Sequence, residues 1–128
     1  MVLAPRRPCI GPSAAKPHLE IETADVDGTV VIRVRGELDL ATVDLLQREI
    51  DQTFTASSPH LILDCRELTF VDSTGMSLML MVHREVGRDG TRFAVVPGDG
   101  AVRTLLGLTG LDQHLTMVDD PDDIFRAR

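Results

Sequence analysis

Tryptophan and tyrosine are absent from this 128-residue sequence, and four phenylalanines make up all of its aromatic content. A protein that stacks nucleic-acid bases on rings, or lines a ligand pocket with them, needs more than that. Positive charge is also short: 13 Lys and Arg stand against 20 Asp and Glu, a formal charge of −7. Affinity for a phosphate backbone comes from Lys and Arg displacing counterions, so direct nucleic-acid binding is not expected. Cysteine is limited to Cys9, in a proline-rich tail, and Cys65, inside an apolar run. That placement suggests no pair, and both read as free thiols of a reducing compartment. No apolar run reaches the length of a membrane span, and the prolines around Arg6 and Arg7 (Pro5, Pro8, Pro12 and Pro17) break up any signal-peptide core. A cytoplasmic location without a membrane partner is expected.

What is present suits one globular domain. Hydrophobic residues are 43% and charged residues 26% of the chain, close to the globular average, and the length suffices for a single core. Residues 1–18, with four prolines and little hydrophobicity, are expected to form a disordered arm, and residues 19–126 the domain. Residues 19–23 read as a strand, Asp27-Gly28 as a hairpin turn, and 30–35 as a second strand in which Val30, Ile32 and Val34 alternate with Val31, Arg33 and Arg35. After Gly36 the period changes. Val43, Leu46, Ile50 and Phe54 recur at helical spacing, which predicts an amphipathic helix capped by Asp39 or Thr42.

Ser57-Ser58-Pro59 then leads to the apolar run 61–65, a central strand. Asp72 and Ser73 open a second helix to about Val86, with Met76, Met79, Leu80 and Val82 toward the core and Asp89-Gly90 as the stop. Strand 91–96, helix 101–108, strand 115–118 and a short helix from Pro121 complete the pattern; Asp120, Asp122 and Asp123 suit the start of that last helix. Two opening strands followed by strand and helix in alternation imply an α/β domain with a mixed sheet of four or five strands and helices mainly on one face.

The chemistry concentrates in residues 61–80, LILDCRELTFVDSTGMSLML, where a buried strand runs through a polar loop into a helix beginning at Asp72-Ser73-Thr74-Gly75. A serine there sits at a helix N-terminus, where unpaired N–H groups and the positive end of the macrodipole favour an added phosphate. Ser73 and Thr74 are equally suited to plain N-capping, and Gly75 to close chain approach. Spacing alone leaves both roles open.

Three segments carry a resemblance: Gly36-Glu37-Leu38-Asp39, then Leu68-Thr69-Phe70-Val71-Asp72-Ser73-Thr74-Gly75, then Ala101-Val102-Arg103-Thr104-Leu105-Leu106 with Thr109-Gly110-Leu111. In this order and spacing they resemble the bacterial anti-sigma factor antagonists of the STAS family, over residues of about 20 to 126. The resemblance implies a partner switch without a cofactor. The unphosphorylated domain binds an anti-sigma factor that is also a serine kinase and so frees the sigma factor; ATP-dependent phosphorylation of the serine after the motif's Asp, here Ser73, releases the antagonist; a serine phosphatase restores it. It implies a partner-binding surface of Asp39, Asp72, Ser73, Thr74, Gly75, Met76 and Ser77. Asp39 and Asp72 have capping as their alternative role, and Gly36 and Gly75 serve backbone geometry. Ser77 departs from the family pattern, in which many members have a second glycine.

Other classes fit less well. The nucleophile-elbow pattern G-x-S-x-G is absent, because Val71 stands in the first glycine's place, so a serine hydrolase is not expected. His18, His60, His83 and His114 are scattered and show no metal-ligand spacing. A STAS scaffold within a larger signalling assembly, without phosphorylation, is the remaining alternative.

Overall fold

The computed structural model describes residues 2–6, 18–54, 60–87 and 92–120. Six strands form one sheet in the order β1-β2-β3-β4-β5-β6: β1 (Val2–Arg6), β2 (Leu19–Val26), β3 (Thr29–Leu38), β4 (His60–Val71), β5 (Arg92–Val96) and β6 (Thr116–Met117). Pairing is antiparallel through β1, β2 and β3, and parallel from β3 to β6. Helices α1 (Val43–Thr53), α2 (Ser73–Gly87) and α3 (Ala101–Thr109) supply the crossovers that parallel strands require, and a single 3-10 turn, Leu111–Gln113, follows α3.

The five strands and three helices expected between residues 19 and 118 are all present, with some boundaries longer. The arm is a correction. Residues 2–6 form a strand that pairs with β2, from Val2↔Asp25 to Arg6↔Ile21. Their composition masked this, but β1 lies at the sheet's edge, where proline is tolerated because half of the ladder bonds are not needed. Residues 7–17, the Ser57-Ser58-Pro59 and Asp89-Gly90 signals, Cys9 and the helix expected from Pro121 lie outside the described residues.

Alternation on the strands decides which face carries the helices. Val30, Ile32 and Val34 of β3, Leu61 and Leu63 of β4, and Phe93 and Val95 of β5 point to one side, where Leu46 and Ile50 of α1, Leu78, Met79, Val82 and Val86 of α2, and Val102 and Leu106 of α3 pack onto them. The other side has a smaller apolar cluster of Ile62, Ala94 and Val96 beside Val31 and Val118. Next to that cluster, buried Asp64 accepts bonds from the Arg66 guanidinium at 2.7 and 3.0 Å and lies 3.5 Å from Arg33. A carboxylate so deep needs such partners. Cys65 is wholly buried in the main core, and that burial pushes its thiol far above its ordinary range. It is therefore an unreactive packing residue.

Gly36 sets the shape of the strand end. It adopts φ +111°, and a Cβ there would stand 2.1 Å from the His18 carbonyl oxygen. The β3–β4 register shifts on either side of it, which marks a bulge of the kind glycine permits. Gly110, at φ 78°, closes α3 as a left-handed C-cap.

Candidate functional site

The parallel strands β3 and β4 end side by side, with Leu38 opposite Val71. The Asp72 N–H donates to the Leu38 carbonyl at 3.1 Å and extends that ladder by one bond. The loops into α1 and α2 therefore emerge together at the carboxyl end of the strands, the end at which open α/β sheets build their sites.

The loop into α1 is held by its own side chains. Asp39 N–H donates to Thr42 Oγ1 at 3.0 Å, Thr42 Oγ1 donates to the Glu37 carbonyl at 2.8 Å, and Ala41 N–H donates to Asp39 Oδ1 at 2.9 Å. Both side chains expected to cap α1 are thereby committed to the turn, and neither bonds an N–H of the helix's first turn. This corrects the expected cap: a local turn competes for the same oxygens and wins.

The loop into α2 is organised by one carboxylate. Asp72 Oδ1 accepts from Thr74 N–H at 2.9 Å, from Gly75 N–H at 3.1 Å and from the Thr74 hydroxyl, while Oδ2 accepts from Leu40 N–H at 3.3 Å. Asp72 is a full N-cap and also the link between the two loops. The Thr74 hydroxyl, and after it the amides of Gly75, Thr74 and Leu40, hold its carboxyl below the ordinary Asp range. Met76 N–H already bonds the Asp72 carbonyl at 3.0 Å. Of the first-turn amides only that of Ser73 is left without a bond among the described residues, so the structure offers an added phosphate fewer donors than expected and places a carboxylate beside it.

The seven candidate residues are gathered at this end, with unequal exposure. Ser73 and Ser77 are exposed, one turn apart on α2. Together with Thr74, Leu78 and Met81 they line a groove whose far wall is Val43 and Gln47 of α1. Asp39, Asp72, Thr74 and Met76 are half-buried. Gly75 is the exception. It is buried, and a Cβ would come 2.8 Å from both Leu38 Cγ and Val71 Cγ2, so it lets α2 seat on the strand ends and presents no surface of its own. Sequence reasoning missed Leu40, which is 75% exposed although its amide is fixed to Asp72, and the exposed ring of Phe70. The only signal for Leu40 was an apolar residue inside a turn, outside any periodic pattern.

The STAS domain family model matches residues 20–124. The chain belongs to the STAS family. The anti-sigma F factor antagonist of Paenibacillus polymyxa is 28% identical over 104 residues, which are 80% of this chain and 89% of that protein. A solved anti-sigma factor antagonist from Mycobacterium paratuberculosis is 30% identical with a TM-score of 0.76, over 85% of this chain and 92% of that one. The Bacillus cell fate determinant SpoIIAA, solved in its phosphorylated form, is 27% identical with a TM-score of 0.64, over 84% and 99%. In this STAS domain the helical groove, Leu40 and Ser73 share one surface, while the charged side of the sheet is turned away from it.

Proposed function

We propose that this STAS domain is an anti-sigma factor antagonist that acts as a partner switch, with Ser73 as its phosphorylation site. The observation that carries the reading is the state of the two adjacent hydroxyls. The Ser73 hydroxyl is exposed and has no hydrogen-bond partner among the described residues, whereas the Thr74 hydroxyl donates a hydrogen bond to Asp72. The kinship with proteins named anti-sigma factor antagonists supplies the partner class, and SpoIIAA supports a phosphorylated state of the same fold.

In the unphosphorylated state the exposed Leu40 and the partly exposed apolar walls of the groove, Val43 and Met81, bury against the anti-sigma factor. The sigma factor is released. The anti-sigma factor, a serine kinase, then transfers phosphate from ATP to Ser73. A phosphoserine brings about −1.5 to −2 charges into a surface that must lose water to bind, beside the Asp72 carboxylate, and the complex separates. A serine phosphatase resets the cycle. The domain performs no catalysis and works in the cytoplasm, where ATP and the transcription machinery are found.

The test compares partner affinity and phosphate incorporation, with and without ATP, for the wild-type chain and three variants. Ser73→Ala should take up no phosphate and stay bound when ATP is added. Ser73→Asp should bind weakly with an unchanged circular dichroism spectrum. Thr74→Ala should still take up phosphate, mapped to Ser73 by mass spectrometry. Incorporation that survives Ser73→Ala but disappears in Thr74→Ala would refute the acceptor assignment.

A further inference from the structure

Two hydroxyls on consecutive residues face a kinase at the start of α2, and the proposed switch depends on only one of them reacting. Four donors converge on Asp72 and fix its carboxylate: the amides of Thr74, Gly75 and Leu40 and the Thr74 hydroxyl. Because these donors come from both loops, the carboxylate cannot turn away without losing several bonds at once. From this geometry we infer that Asp72 is a specificity-determining positioning residue, which directs phosphorylation to Ser73 by occupying the hydroxyl of Thr74. The inference rests on the phosphorylation reading and adds to it the reason for the choice of acceptor.

The chemistry of transfer explains the effect. The acceptor hydroxyl forms a new O–P bond to the γ-phosphorus of ATP, the bond from that phosphorus to the β,γ-bridging oxygen breaks, ADP leaves, and the hydroxyl proton passes to a base on the kinase. Thr74 Oγ1 directs its proton at Asp72, so it must give up a charge-assisted bond before it can present that proton to the kinase. A phosphate formed there would also lie against the fixed carboxylate. Ser73 does not meet the first obstacle, since its side chain is exposed and unbonded among the described residues. The bonds that hold the Asp72 carboxyl below its ordinary range keep it charged, so it stays an acceptor for the Thr74 hydroxyl.

The experiment maps phosphate by mass spectrometry after incubation with the anti-sigma kinase and ATP. The chains are wild type, Asp72→Ala, Asp72→Asn, and the double variant Asp72→Ala with Ser73→Ala; urea unfolding confirms that each is folded. Asp72→Ala should raise the Thr74 share of the label at least about tenfold, the order expected for removing one hydrogen bond to a charged acceptor. The double variant should carry phosphate on Thr74. Asp72→Asn keeps both the cap and an oxygen for the Thr74 hydroxyl and should return the label to Ser73, whereas a purely structural role for Asp72 would lower total labelling in Asp72→Ala without moving the label to Thr74. Thr74 left unlabelled in both Asp72→Ala chains, or equal Thr74 shares in the Ala and Asn variants, overturns the inference. A wild-type chain that takes up no phosphate overturns the phosphorylation reading, and this inference with it.

Discussion

Helices α1 and α2 start side by side after the paired ends of β3 and β4, and the two helix starts are built from the same residue types with opposite results. Before α1, Asp39 and Thr42 bond to each other and to the backbone of their own turn, and the helix begins without a side-chain cap. Before α2, Asp72 reaches forward to two helix amides and sideways to Leu40. A polar residue at a helix start thus caps only when no tighter local turn claims its oxygens. The first start shapes a loop that displays Leu40, and the second fixes a helix that displays Ser73. The bond between Leu40 and Asp72 makes the two displays one surface.

Substitutions at the bases of these helix starts should break the comparison most strongly. Gly36→Ala forces a Cβ against the His18 carbonyl at a positive φ, and a loss of roughly 3 kcal/mol or more is expected from the strain and overpacking together, read as a lower urea midpoint. Gly75→Ala meets the buried side chains of Leu38 and Val71 rather than backbone and has no positive φ to strain, so a smaller loss of about 1–3 kcal/mol is expected. If Gly75→Ala proves the costlier of the two, the backbone clash at Gly36 has been overrated.

Removal of the carboxylates sharpens the contrast. Asp72→Ala should cost about 1 kcal/mol as a lost N-cap, and Asp39→Ala about half as much, the low end for a hydrogen bond in an exposed turn. The Asp72 contribution should depend on acid. The folded Asp72 carboxyl titrates below its ordinary value of 3.8, so its contribution is complete above that pH and fades as the pH falls through the lower folded value. The stability gap between wild type and Asp72→Ala should therefore close in strong acid, and a gap that persists at the lowest pH would deny the cap its charge. The smallest effect on stability belongs to Leu40→Ser. With its side chain 75% exposed it should unfold within about 0.5 kcal/mol of wild type, yet bind the anti-sigma factor at least about tenfold more weakly if Leu40 is an anchor of the interface. Unchanged affinity would place the interface elsewhere.

The architecture was legible wherever burial imposes a period. The alternation in 30–35 and the helical spacing of Val43, Leu46 and Ile50 led directly to β3 and α1, because one face of each packs on the core. β4 extends to Val71, well beyond the apolar run 61–65, since its later residues are carried by pairing with β3 rather than by their own hydrophobicity. β1 was illegible for the same reason: an edge strand is held by backbone bonds to a neighbour that lies well along the chain, and proline-rich composition hides it. At the site, the location of Ser73 and the cap by Asp72 followed from helix-start chemistry. The commitment of Thr42 and Asp39 to a turn, the burial of Gly75 and the exposure of Leu40 did not, because each depends on which atoms of neighbouring segments lie within reach.

The bond from Leu40 to Asp72 joins residues 32 positions apart in the chain. Such a contact appears only after the parallel pairing of β3 with β4 has closed a long loop, an event that comes slowly in folding. A nascent or misfolded chain would contain the motif around Ser73 and still lack the surface that displays it. On the proposed reading, the switch would be restricted to molecules that have completed their fold, a form of quality control within the signal. A peptide covering residues 68–80 should accordingly be a far poorer kinase substrate than the intact domain, and equal labelling rates would show that the kinase reads the local sequence alone.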